Sequence, residues 1–350
     1  MSQGTRSCAA LIVILSALSS VNAQFRNRPR PVSKIQIPED HTIPNRSKIF
    51  FQRGVNFTSE TGYFPDDAMA VLDRLPGYGV NSIALVPYGV SRKGAPEIRL
   101  MSNGGMERED DIQALTALAH QRHLKVLLKP QIWVTSGGYP GGIEFPEPEA
   151  RARWFRSYEE FILHFADLAT RSRADLFCVG VEFVHLSQYE SEWRRIIAHV
   201  RQRYAGPLVY AANSGPDFEQ TRFWDALDYI GLNDYYPLPD DLSVAAVLHI
   251  VEGVQRRYHR PVIFPEAGFA SLRAPHREPW DETPREKSLE DQARCYQAVL
   301  QAFYKKPWFQ GVYWWKVGNN GFGGPEDGSH TPWGKPAMEV IKKWYVTGGR

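Results

Sequence analysis

The sequence predicts a single α/β domain, a closed (β/α)8 TIM barrel. Three observations lead there. Eight short apolar runs recur past residue 48, each followed by a longer, mostly amphipathic segment. The short runs are almost continuously apolar, as suits parallel strands covered on both faces. The turn after the first run, GVNFTSETG, is not the Gly-rich phosphate loop that an open doubly wound sheet would place there.

The units follow in order. RGVNFT (53–58) reads as the first strand, and DDAMAVLDRLPGYG as its helix, with Asp66 and Asp67 suited to a helix start. NSIALVPYG (81–89) is the second strand. Ile112, Leu115, Leu118 and Ala119 then give REDDIQALTALAHQRH helical spacing. KVLLKPQIW (125–133) is the third, and a Gly-rich loop leads from it into the long helix RWFRSYEEFILHFADLATRS. DLFCVGVEF (175–183), PLVYAAN (207–213) and DYIGLNDYYP (228–237) are the fourth to sixth. Helices are expected at SEWRRIIAHVRQRY, briefly around FWDAL, and at LSVAAVLHIVEGVQRRY. PVIFPEAGF and QGVYWWKV (310–317) are the seventh and eighth, followed by LEDQARCYQAVLQAFYKK and KPAMEVIKKWY.

Before the barrel, residues 1–23 carry an Arg, a short apolar run and a small-residue site ending at Ala23, the pattern of a secretory signal peptide. The protein is thus expected to be secreted or periplasmic, with its mature chain starting near Gln24. Residues 24–47 are rich in Pro and Arg and lack periodicity, so they read as a linker or surface arm. The catalytic domain is expected over 48–350. Cys178 and Cys295 would remain in the mature chain, either as one disulfide or as two buried thiols. A net charge of +2 points to no nucleic-acid partner. No cofactor or metal is expected, because the spacing of His and Cys offers no ligand cluster. Glu326 and Asp327, in the Gly-rich segment 319–331, could bind a cation, although a single acidic pair is a weak signal for one.

Active sites of such barrels lie at the C-terminal ends of the strands. Lys129, Gln131 and Trp133 fall there on the third, and Glu182 and His185 on the fourth. Asn213 ends the fifth, and Asn233, Asp234, Tyr235 and Tyr236 end the sixth. Glu266 ends the seventh, in VIFPEAGF, and Trp314, Trp315 and Lys316 the eighth. A buried carboxylate needs a partner or a function. Two glutamates across one barrel mouth suit glycoside hydrolysis, with one protonating the leaving oxygen while the other attacks the anomeric carbon or activates water. The apolar setting of Glu182, FCVGVEFVHL, favours its protonated form. The ten Trp fit a sugar ligand too, although Trp154, Trp193, Trp224, Trp308 and Trp344 fall in or beside helices and read as core.

The segments LLKPQIW, VGVEF, YESEWRRII, LVYAAN, FWDALDYIGLNDYYPL, PVIFPEAGF, KPWFQGVYWWKV and GKPAMEVIKKWY, in this order, resemble glycoside hydrolase family 113. That family belongs to the clan A retaining glycosidases, and its known members are mainly β-mannanases. The resemblance implies Glu182 as acid/base and Glu266 as nucleophile. It implies Tyr235 or Tyr236 as the tyrosine that donates to the nucleophile, and Trp314 or Trp315 as the floor beneath the reacting sugar. One of those two tryptophans must point away from the mouth, because strand neighbours alternate. Lys129, Gln131 and Trp133 are candidates for lining the substrate, with a structural barrel lysine paired to a carboxylate as the alternative for Lys129. The clan's asparagine before the acid/base is Val181 here, so Asn213 and Asn233 become candidates for binding the 2-hydroxyl. The expected partner is a β-linked polysaccharide or oligosaccharide, mannan first. A β-glucan or xylan, or a non-catalytic carbohydrate-binding barrel, remain as alternatives.

Overall fold

The computed structural model describes residues 50–59, 63, 65–100 and 108–348. The expected leader (1–23) and arm (24–47) lie outside the described residues. Eight parallel strands close into a barrel. In chain order they are β1 (Gln52–Thr58), β2 (Ser82–Leu85), β5 (Lys125–Leu128), β7 (Leu176–Val181), β8 (Leu208–Asn213), β9 (Tyr229–Asp234), β10 (Val262–Ala267) and β11 (Phe309–Gly318). β11 pairs with β1 in register from Gln52↔Gly311, which shuts the cylinder.

Two expected strands are each split in two. The run at 81–89 breaks at Pro87 and the run at 125–133 at Pro130, each proline lacking the N–H that would continue the ladder. Beyond the breaks the chain forms β3 (Tyr88–Arg92), β4 (Ile98–Leu100) and β6 (Gln131–Thr135), a separate three-stranded sheet at the barrel rim. Gln131 and Trp133 therefore lie on this outer sheet rather than on a barrel strand.

The helices are α1 (Pro65–Arg74), α2 (Glu109–Gln121), α3 (Pro148–Ser172), α4 (Glu190–Arg203), α5 (Pro216–Gln220), α6 (Ala245–Tyr258), α7 (Leu289–Phe303) and α8 (Pro336–Thr347). α3 and α8 open on proline, whose missing N–H costs nothing in a first turn. α7 is capped by the Ser288 hydroxyl, which accepts from Asp291 N. Around FWDAL only one 3-10 turn forms, Trp224–Ala226.

The larger apolar core lies between barrel and helices, and a smaller one, including Cys178, Val209, Tyr229 and Tyr313, fills the cylinder. Aromatic rings pack densely under the end of β7. Phe183 meets Tyr158 at 4.9 Å, Trp154 at 5.1 Å and Trp193 at 5.6 Å between ring centres. Each such pair adds about 0.5–1.5 kcal/mol beyond burial, so the backbone next to Glu182 is firmly held. Cys178 and Cys295 are buried free thiols, and no disulfide joins them.

Candidate active site

Glu182 follows β7 immediately, and Glu266 is the fifth residue of β10. Asn233, on β9, stands between them. It pairs in register with Glu266, and its Nδ2 donates to Glu182 Oε1 at 2.9 Å. Register shifts in β7 and β10 set which residues face the mouth, one between Cys178 and Val181, the other between Ile263 and Glu266. Glu182 has φ +57°, left-handed backbone that is uncommon for a side chain. Its N–H donates to Ala211 O at 2.9 Å.

The two carboxyls have different surroundings. Glu266 is buried, and its Oε1 takes an ion-paired hydrogen bond from the fully buried Lys129. Gln131 Nε2 donates to the same oxygen at 2.7 Å. Tyr235 OH reaches the other oxygen, Oε2, at 3.4 Å. These donors favour a charged carboxylate and leave Oε2 the less engaged atom. Among the described residues no cation is paired with Glu182. Burial, and then the negative charge of Glu266, push its carboxyl up to about 7 against the Asn233 hydrogen bond.

Behind Glu182 lies a support that the sequence did not reveal. Tyr210 OH accepts from Phe183 N at 3.0 Å and donates to the buried Asp217 at 3.1 Å. Asp217 also accepts from Asn213 N at 2.8 Å, and burial raises its carboxyl to about 6. Asn56 was missed as well, although a polar residue inside an apolar strand is a readable signal. Its Nδ2 donates to Pro265 O and Tyr313 O at 3.0 Å each, tying β1 to the backbone just before Glu266.

The eighth-strand tryptophans separate. Trp315 is half-buried at the mouth, with the Lys129 ammonium 5.2 Å from its ring centre. Trp314 does not reach the mouth. It is fully buried, stacked on Tyr296 at 4.2 Å, because neighbours on a strand face opposite sides. Gly268 lets the chain after Glu266 lie close on Trp315, since a Cβ there would stand 2.8 Å from Trp315 O.

The tyrosines separate likewise. Tyr235 reaches Glu266, whereas Tyr236 OH accepts from Gly215 N at 2.8 Å and donates to Glu219 at 2.9 Å, outside the carboxylate pair. Asn213 ends β8 in register with Asn233. Asp234 is buried and, alternating with Asn233, turns from the axis; burial raises its carboxyl to about 7. His185 is exposed. Trp133 stands further out on β6.

The loops after β10 and β11 brace each other. The buried His330 has Glu282 Oε1 at 2.5 Å from Nδ1 and Pro279 O at 2.6 Å from Nε2. His330 thus ties the loop after β11 to the loop after β10 through both of its ring nitrogens. Its ring meets that of Tyr235 edge-on at 6.1 Å. The acidic pair suggested for a cation is taken by lysines instead. Glu326 pairs with Lys287, and Asp327 with the buried Lys335, whose ammonium also donates to Ser271 Oγ at 2.9 Å and Ser329 O at 3.1 Å. Trp333 is buried against Tyr78, with Arg74 over its ring.

A closed barrel whose mouth holds one clamped, charged carboxylate and one proton-retaining carboxyl is the working arrangement of a barrel glycoside hydrolase. The family model for Glycoside Hydrolase Family 113 matches residues 54–324, and the chain belongs to that family. A GH113 β-mannanase from Alicyclobacillus acidocaldarius is 31% identical, with a TM-score of 0.78 over 86% of this chain and 99% of the relative. Two other GH113 β-1,4-mannanase structures are 26% and 25% identical, with TM-scores of 0.78 and 0.77. They cover 85% and 86% of this chain and 99% and 100% of their own. None of the curated proteins compared matches the chain.

Proposed function

We propose that this glycoside hydrolase is an exported endo-β-1,4-mannanase that works by double displacement. The unequal surroundings of Glu182 and Glu266 carry this reading. In the first step Glu266 Oε2 attacks the anomeric carbon, while Glu182 gives its proton to the glycosidic oxygen and the C–O bond breaks. In the second, ionised Glu182 takes a proton from water. That water's oxygen forms the new bond to the anomeric carbon, and Glu266 leaves as carboxylate. Lys129 and Gln131 hold Oε1 and so aim Oε2. Trp315 lies under the reacting ring.

The relatives' activity supports mannan as substrate, and the signal-peptide pattern supports export with Gln24 as the first mature residue. The test is hydrolysis of β-mannan, glucomannan, β-glucan and xylan, with products weighed and the first-formed anomer observed by NMR. Mannooligosaccharides of β configuration are expected. Products from β-glucan or xylan alone would overturn the mannan assignment, and a first-formed α anomer would overturn double displacement.

The amide of Asn233 opposes the upward push on Glu182, because it bonds better to the ionised carboxylate. Asn233→Ala should therefore move the alkaline limb of the pH–rate profile to higher pH. Turnover at the optimum is expected to fall roughly tenfold or more through lost alignment of the acid. An unmoved limb would show that Asn233 does not set the acid.

A further inference from the structure

We propose that the outer sheet is a sugar-binding shelf, on which Trp133, braced by Tyr88, takes a further ring of the polysaccharide beyond the one held at Glu266. The inference rests on the reading of the site as a glycosidase centre and extends it to the path of the chain.

Side chains on β6 alternate between two faces. Ile132 and Val134 are buried on one. That side packs tightly, since a Cβ on Gly89 of the neighbouring strand would stand 2.5 Å from the Phe161 ring of α3. Gln131 and Trp133 share the other face. Gln131 touches Glu266 at 2.7 Å, so this face looks into the mouth. Trp133 lies one pleat repeat further out, roughly 7 Å along the strand. That displacement is on the scale of one sugar unit in an extended chain.

β3 runs parallel beside β6, with Tyr88 opposite Gln131 and Val90 opposite Trp133. The Tyr88 and Trp133 rings meet edge-to-face at 6.2 Å and 83°, which braces the indole while it stays exposed. Among the described residues, four large apolar side chains are exposed, Met69, Leu100, Trp133 and Val346. Trp133 alone of them is aromatic, and it shares a strand face with Gln131, which touches Glu266. That place on the strand puts the exposed indole in the path of a chain leaving Glu266. Its flat, π-rich face suits the C–H face of a neutral pyranose. Tyr88, Val90 and Gln131 around it carry no charge, which fits an uncharged glycan.

The test compares wild type, Trp133→Ala and Trp133→Phe on oligosaccharides of two to six units from whichever β-glycan wild type cleaves. The readout is kcat/KM on the longest oligomer and on the shortest one cleaved. Trp133→Ala is expected to lose roughly tenfold on the longest, the size of effect of uncovering one indole face, and less than about twofold on the shortest. Trp133→Phe should retain most of the activity on both. An unchanged rate on the longest oligomer, or an equal loss on both, would overturn the shelf while leaving the glycosidase reading in place. Wild type cleaving no glycan in the series would overturn both. Thermal melting of each variant should match wild type, because the side chain sits at the surface.

Discussion

Replacing Glu266 with glutamine is expected to cut turnover at least ~10⁴-fold while leaving the affinity for an oligosaccharide within a few-fold. The amide keeps the shape of the side chain but makes a poor nucleophile. The same change should also weaken the fold. Lys129 is fully buried, and its ammonium is paired with Glu266. Removing one partner of such a pair costs about 3–5 kcal/mol, because the remaining charge is left uncompensated. A lowered melting temperature should therefore accompany the lost activity. Adding Lys129→Met should recover part of the stability but none of the turnover, and a double-mutant cycle gives the coupling. A mechanism-based fluorinated glycoside should label Glu266 in wild type, seen by peptide mass. Turnover within tenfold of wild type in Glu266→Gln would remove this residue from the nucleophile's role.

The second large effect concerns pH. In the proposed mechanism Glu182 carries a proton when the leaving oxygen departs, and its carboxyl is held up to about 7. The kcat/KM on mannan is expected to fall as pH rises through about 7, where free enzyme loses that proton. Glu182→Ala should abolish this limb and reduce turnover on polysaccharide by roughly 10²–10⁴-fold. A substrate with a good leaving group needs no acid, so the variant should still form the glycosyl enzyme from it. Azide, which needs no general base, should then restore release and yield a β-glycosyl azide. An alkaline limb unchanged in Glu182→Ala would mean that another group supplies the proton.

The barrel was legible because its strands are apolar on both faces and punctuated by polar ends. Glu182 and Glu266 were legible for the same reason, as carboxylates ending apolar runs. The register shifts were not visible in sequence, and these decide which neighbour faces the mouth. One of Trp314 and Trp315 had to turn away; only the register of β11 against β1 and β10 says that it is Trp314. Tyr236 was indistinguishable from Tyr235 until the loop after β8 supplied Gly215 and Glu219 as its partners. Lys129 read either as a substrate-lining residue or as a barrel lysine paired to a carboxylate, and only the fold names that carboxylate as Glu266, 137 residues further along. Pro87 and Pro130 marked where two runs would leave the barrel, but apolar continuity across them concealed the outer sheet. Glu282 and His330 meet across 48 residues, and Asp217 gained its part only when α5 turned it back onto Tyr210 and Asn213.

The left-handed backbone at Glu182 makes this residue a standing drain on the fold, so losing the acid should make the protein sturdier. Glycine enters that region freely, and a side chain there costs on the order of 1 kcal/mol. A second contribution depends on pH. In the unfolded chain the carboxyl ionises near 4.3, and in the fold near 7. Below the lower value both states hold the proton and folding is unaffected. Above it the unfolded state gains by ionising first, so stability declines until about 7 and then levels. Glu182→Gly should thus melt above wild type, and the gap should widen as pH rises from about 4 to 7. A constant gap would assign it to backbone alone, and a variant that melts lower would refute the idea. Selection for heat tolerance without selection for activity would then be expected to find codon 182 early, trading a working hydrolase for a durable, inert barrel.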